Sequence, residues 1–231
     1  MIRITITILL LAFNHFHIST GYSIYVVERE TEDYFQLNQK EDRLPEYKDS
    51  DEDLMLKIKQ LEVINKSRRK HRAPPLKLDI LACRVANKIC REAALNNYVG
   101  HWNLKGEKPY HRYAFAGGLD HVSENASGQT TSGRFDNRPE AIAQRMIEDH
   151  ASFMAEKRPN DGHKQTVINK SHNYVGLGFF GGENQFRYYE LYLDRYYMFE
   201  NIPSEVDKGE TFNIRSKPPE GFYCNLLIVY Y

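Results

Sequence analysis

The sequence is short of cysteine, tryptophan and net charge, and each shortage excludes a class of protein. Three cysteines and one tryptophan occur in 231 residues. Three cysteines do not build the disulfide framework that substitutes for a core in small secreted scaffolds, so hydrophobic packing must carry this fold. Basic and acidic residues number 31 each, which argues against nucleic acid or an anionic membrane surface as a partner. Long apolar runs are also missing. The one at Ile4–Phe13 is too short to span a bilayer comfortably, so the chain is not expected to be transmembrane.

That run has a different reading. Arg3 precedes it, and the small residues Ser19 and Gly21 stand at −3 and −1 of a cut before Tyr22. This is the layout of a secretory signal over residues 1–21, and it predicts a secreted, extracellular product. The rival reading is an uncleaved N-terminal anchor. Residues 22–53 follow, polar and acidic, and read as a flexible leader. Three sequons, at Asn65, Asn125 and Asn169, are glycosylation candidates in that pathway.

The remainder alternates helical and strand patterns. Asp53 can cap a helix over 54–69 with Leu54, Ile58, Leu61 and Ile64 on one face. Asp79 can cap a second, apolar on most of its circumference, ending near Asn96. Cys83 and Cys90 lie two turns apart on it, about 10.5 Å along the axis. A bridge needs Cα atoms within roughly 7 Å, so they should not pair with each other; either could pair with Cys224, leaving one thiol free. Residues 103–120 read as a loop, with His111 and His121 as ordinary loop histidines. Pro139 opens a third helix whose core side is Ile142, Met146 and Phe153. On that helix Glu148 lies about 120° round from Ile142, which points it to solvent. Tyr174–Phe180 and Gln185–Tyr196 form a hairpin about Gly181-Gly182. A further β pair is expected at Thr211–Arg215 and Phe222–Tyr230.

Five pieces of this chain occur in the order of a known family. They are Ile64–Arg69 with Pro75-Leu76, Gly100-His101, Ser123-Glu124-Asn125, Ala141–Glu148, and Gly162-His163 with Gly176-Leu177-Gly178-Phe179. Together they resemble the CAP superfamily, the SCP-type domain shared by cysteine-rich secretory proteins, antigen five and the first class of plant pathogenesis-related proteins. Ser123 and Arg145 depart from the family's glycine and aromatic, and the cysteine-rich tail is missing, so the chain looks like a disulfide-poor member. The resemblance implies an α+β fold: a three-layer α-β-α sandwich with an antiparallel sheet over 54–197, here followed by a C-terminal β extension at 198–231.

The resemblance also implies a cleft tetrad of His101, Glu124, Glu148 and His163, moving Glu148 from solvent to cleft. In such a cleft His101 and His163 would hold a divalent metal, zinc above all, while the glutamates orient the rings. The function implied is a secreted monomeric binding module for metal, with sterol, lipid or an extracellular protein as partner. Two alternatives stand beside it: a metal-dependent hydrolase using the same four residues, and an interaction protein in which the tetrad is purely structural. No catalytic nucleophile is assigned.

Overall fold

Helix formation begins earlier than the sequence predicts. The computed structural model describes residues 33–200, 202, 213, 215–217 and 220; the signal and the start of the leader lie outside these. Residues 33–40 are already helical (α1), and a 3-10 turn follows at Pro45–Tyr47. Helix α2 runs Asp51–Lys70 and is capped by Ser50, whose Oγ accepts from the Asp53 N–H at 3.1 Å. Asp53 is therefore inside the helix rather than its cap.

The expectation of a flexible leader fails over 33–53. Asn38 and Asp49 are buried, and Asn38 Nδ2 donates to the Asp49 carbonyl at 3.0 Å. The Asp49 carboxylate accepts from the buried Lys57 at 2.6 Å and from Asn87 at 2.7 Å. Buried Arg84 donates to the carbonyls of Arg43 and Asn38, at 2.5 and 3.0 Å. The acidic composition that reads as disorder conceals specific partners for cations on α2 and α3, and a paired buried charge is tolerated where a lone one is not.

The main sheet has the order β1–β3–β4–β2, with β1 Lys77–Leu78, β2 His121–Thr130, β3 Tyr174–Gly181 and β4 Gln185–Asp194. β1 is a parallel stub on β3, and the other pairs are antiparallel. Helix α3, Ile80–Leu95, lies on one face with the short α4, Pro109–Phe115; α2, α5 (Pro139–Ala155) and α6 (Gly162–Ile168) occupy the other. This is the expected α-β-α sandwich.

Alternation along β4 divides its side chains between the layers. Tyr189, Leu191 and Leu193 pack with Leu81, Val85 and Ile89 of α3. On the opposite face Tyr192 joins Leu54, Ile58 and Ile64 of α2, and Tyr188 joins Ile142 and Met146 of α5. Two glycines of β3 let α3 lie directly on the strand. A Cβ on Gly176 would fall 2.4 Å from the Ala82 carbonyl carbon, and one on Gly178 would fall 2.3 Å from that of Ala86.

Cys83 and Cys90 are free and fully buried in α3. Burial pushes the Cys83 thiol up to about 12 and that of Cys90 well above its ordinary value, so both behave as apolar side chains. The hairpin forms as expected, its turn closed by Gly182 N–H donating to the Gln185 carbonyl at 2.8 Å. The segment read as a loop at 103–120 contains α4. In the C-terminal extension Met198–Glu200 (β5) pairs antiparallel with Arg215–Lys217 (β6). The expected strand at 222–230 and Cys224 lie outside the described residues.

Asp194, the last residue of β4, gives the fold an acid-sensitive joint. It accepts from His172 Nδ1 at 2.5 Å and faces His121 Nδ1 at 3.2 Å. His121 is thus an ion-pair partner at the start of β2, not a bland loop residue. Burial raises the Asp194 carboxyl, but the bonds from His121 and His172 outweigh it and hold the group well below the ordinary carboxylate range. A depressed folded-state pKa contributes stability above about pH 4, lost as pH falls through the folded value. The His121 ring is shifted upward by its bond to Asp194. Its contribution is present below about pH 6.5 and fades as pH rises past its folded value. Thermal melts of the wild type should therefore show highest stability between these limits, and Asp194→Asn should lower that maximum and flatten both flanks. A mutant with the same pH profile as the wild type would remove Asp194 from this role.

Candidate functional site

The end of α3 hands the chain to Gly100-His101. Tyr189 fixes this exit: its hydroxyl donates to the Gly100 carbonyl at 2.9 Å and accepts from the Gly100 N–H at 3.2 Å. The His101 ring then donates from Nδ1 to Glu124 Oε1 at 3.0 Å. The other carboxylate oxygen of Glu124 is taken by Arg112 Nη2, while Arg112 Nη1 donates to the His101 carbonyl at 2.9 Å. Arg112 is buried and comes from α4. It ties both members of the pair together, and the loop reading of 103–120 gave no reason to single it out. His111, on the same helix, takes the Lys108 N–H at 3.2 Å instead of standing in a loop.

The second histidine has a different acid from the one expected. His163 Nδ1 donates to Glu156 Oε1 at 2.5 Å, and Glu156 Oε2 accepts the His163 N–H at 2.9 Å and the Lys164 N–H at 3.3 Å. Burial raises the Glu156 carboxyl, and these bonds more than reverse it, leaving the group below the ordinary carboxylate range. The imidazole leans on Phe153, with ring centroids 4.8 Å apart.

Glu148 joins neither histidine. It is exposed on α5 and accepts from Gln144 Nε2 at 2.8 Å, one turn back. The acid that turns inward is its neighbour Asp149, which is buried and accepts from Gln129 Nε2 at 2.9 Å. Burial raises the Asp149 carboxyl above its ordinary value.

In place of the tetrad stand two separate dyads, His101–Glu124 and His163–Glu156, with Glu148 in neither. Glu124 pairs across the sheet with Leu191 and shares its face, while Asn125 pairs with Glu190 on the other. Asn125 Nδ2 donates to the His163 carbonyl at 3.1 Å. His101 and His163 therefore approach β2 from its two faces. Each carboxylate holds the proton of its imidazole on Nδ1, which leaves Nε2 as the nitrogen with a lone pair, the tautomer used in zinc ligation. Among the described residues, however, no group of three or more His, Cys, Asp or Glu side chains is placed to hold a metal ion. The donors fit single imidazole contacts, not a resident centre with three or four protein ligands.

The three sequons fare differently. Asn125 is fully buried, and the Asn65 amide both donates to and accepts from the Leu76 backbone, at 3.0 and 2.8 Å. Attachment of a glycan to either would break those bonds. Asn169 is exposed at the end of α6.

The stretch of chain on either side of His101 is rich in exposed apolar side chains. Of nine exposed large apolar side chains among the described residues, six fall between 95 and 119: Leu95, Val99, Trp102, Leu104, Phe115 and Leu119. Lys108 Nζ sits over the Trp102 ring, 4.6 Å from its centroid. No described helix is long and apolar enough to cross a membrane.

Known proteins match this chain at two levels. The model of the cysteine-rich secretory protein family matches residues 61–197. No curated protein matches the sequence. Among solved structures, similar folds include an extracellular SCP-domain protein of Bacillus anthracis (17% identity, TM-score 0.45, 59% of this chain and 39% of that one). An outer surface protein of Borrelia burgdorferi is similar over 60% of this chain and 91% of its own, at 19% identity and a TM-score of 0.47. The CAP domain of enterococcal PrgA is similar over 67% and 63%, at 11% identity and a TM-score of 0.46. The chain spans well under half the length of the Bacillus protein.

Proposed function

This chain belongs to the cysteine-rich secretory protein (CAP) family, and from that membership we propose that it works outside the cell as a binding module for an apolar ligand, a sterol or lipid. The signal-like layout of Arg3, Ile4–Phe13, Ser19 and Gly21 supports export. The observation that carries the ligand class is the exposed apolar side chains gathered between Leu95 and Leu119, since scattered apolar residues are ordinary while a concentration marks a binding surface. Glu124 is committed to Arg112 and His101, and Glu156 to three donors of α6, so neither is a free general base.

The lone tryptophan makes the proposal directly testable. Trp102 is 55% exposed, so its emission should shift to the blue and saturate when sterol or lipid vesicles are added. Leu104→Ser combined with Val99→Ser should weaken this binding by about tenfold or more, through loss of buried apolar area. Emission that stays unchanged at saturating lipid would sink the apolar-ligand reading, with an extracellular protein then the partner to seek.

The Nδ1-bonded tautomers favour a second reading, weak binding of zinc or another divalent ion at the imidazole Nε2 atoms of His101 and His163. Calorimetric titration should show zinc binding that Glu124→Gln or Glu156→Gln weakens by about 10- to 100-fold. Equal affinity in the wild type and in a His101→Ala/His163→Ala double variant would end this reading. A hydrolase on the same residues gains no support from dyads held on two faces of a strand.

A further inference from the structure

On the α2 side of the sheet, three side chains from distant segments form a linear relay. Glu190 of β4 is completely buried, and its Oε1 accepts from His150 Nδ1 at 2.9 Å. The other ring nitrogen, His150 Nε2, is 3.1 Å from the Oγ of Ser67 on α2. His150 is 1% exposed, whereas Ser67 is only partly buried. The order acid, imidazole, hydroxyl is that of a base-activated serine nucleophile, recognised by geometry rather than by sequence position.

The acid is held in its ionised form. Burial raises the Glu190 carboxyl, but His150 and the hydroxyls of Tyr192 and Tyr188 outweigh this and lower it. Those hydroxyls donate to Oε2 and Oε1 at 2.6 and 2.8 Å. An ionised Glu190 accepting from Nδ1 places the lone pair on Nε2, facing the Ser67 hydroxyl. Asn125 Nδ2, which donates to the His163 carbonyl, also reaches Glu190 Oε2 at 3.4 Å, so this arrangement borders the second dyad while sharing none of its side chains.

We propose that Ser67 is a nucleophile that accepts acyl or phosphonyl groups from small activated esters, with His150 as its base and Glu190 as the residue that positions the ring. In the step, Ser67 Oγ bonds to the carbonyl carbon while its proton passes to His150 Nε2. The bond to the leaving alcohol breaks, and the alcohol departs with that proton, leaving an ester on Ser67. Water entering by the same route releases the carboxylic acid and restores the serine. Ser67 lies within α2, whose backbone N–H groups are spent on intrahelical bonds. No oxyanion hole comes from them, and such donors are worth about 10²–10³ in rate. Acylation should therefore be slow and turnover slower.

The test is a fluorophosphonate, which loses fluoride as its phosphorus bonds to the serine oxygen. Incubated with the full chain and mapped by mass spectrometry, it should modify Ser67 about a hundredfold faster than the other serines, the scale of general-base assistance. His150→Gln, which keeps a donor toward Glu190, should lower that rate by about the same factor while circular dichroism shows an unchanged fold. Absence of an adduct on Ser67 in folded wild type overturns the proposal. Equal labelling of Ser67 in wild type and His150→Gln also overturns it, because the hydroxyl would then react through exposure alone.

Discussion

Gly178→Ala should lower the melting temperature by about 10 °C, corresponding to roughly 3 kcal/mol of overpacking. The added methyl would meet the Ala86 carbonyl carbon at 2.3 Å and its oxygen at 2.6 Å. Both are backbone atoms, so no rotamer change relieves the clash. Either α3 lifts from β3 or the strand leaves the sheet. The damage should reach the site, because α3 delivers Gly100 to Tyr189 and His101 to Glu124. Gly162→Ala is the matched control: nothing lies within 4 Å of the new carbon, and the change should stay within about 0.5 kcal/mol. Two variants that melt together would show that the close approach of helix and strand costs little to open.

Arg68→Ala should be comparably severe, at about 3–5 kcal/mol. Its guanidinium is fully buried. It donates to the carbonyls of Pro74, Val167, Asn169 and His172, at 2.7, 2.6, 2.9 and 3.0 Å. Burial pulls its pKa down, and among the described residues no carboxylate stands at hydrogen-bond distance to offset this. Removing the side chain leaves four inward-facing carbonyls short of donors and frees the end of α6 from α2. Arg68→Met separates the two contributions, since it restores most of the volume and none of the donors. Denaturant melts in which the methionine variant matches the wild type would show that packing, and not the carbonyl bonds, carries the effect.

The sandwich was legible because its signals are local. Asp79 caps α3 through the Ala82 N–H at 2.6 Å, and the glycine-closed hairpin and the apolar stripe of α2 lie where their patterns place them. The site was legible only in part, and α5 shows why. Periodicity from Ile142 and Met146 continues through Asp149, His150 and Phe153, all buried, and leaves Glu148 outside. The helical pattern had pointed Glu148 to solvent; family likeness moved it inward, and the structure agrees with the pattern. The partner of His163 lies seven residues upstream across an irregular stretch, where no spacing rule applies. Helix α4 carried a usable signal, a proline at its first position, hidden among glycines that read as loop. Arg112, Ser67 and Glu190 owe their partners to tertiary contacts between distant elements, which no local pattern encodes.

The belt of chain at 33–49 has a consequence for how the protein meets proteases. Lys40, Arg43 and Lys48 are basic residues of the kind trypsin cuts after, yet they sit in a stretch whose Asn38 and Asp49 serve as counterweights to Arg84 and Lys57 inside the body. Trypsin should therefore leave the native protein uncut after Lys40, Arg43 and Lys48. Removing the chain as far as Ser50 would strand two buried cations and loosen the domain that the shortened polypeptide still encodes.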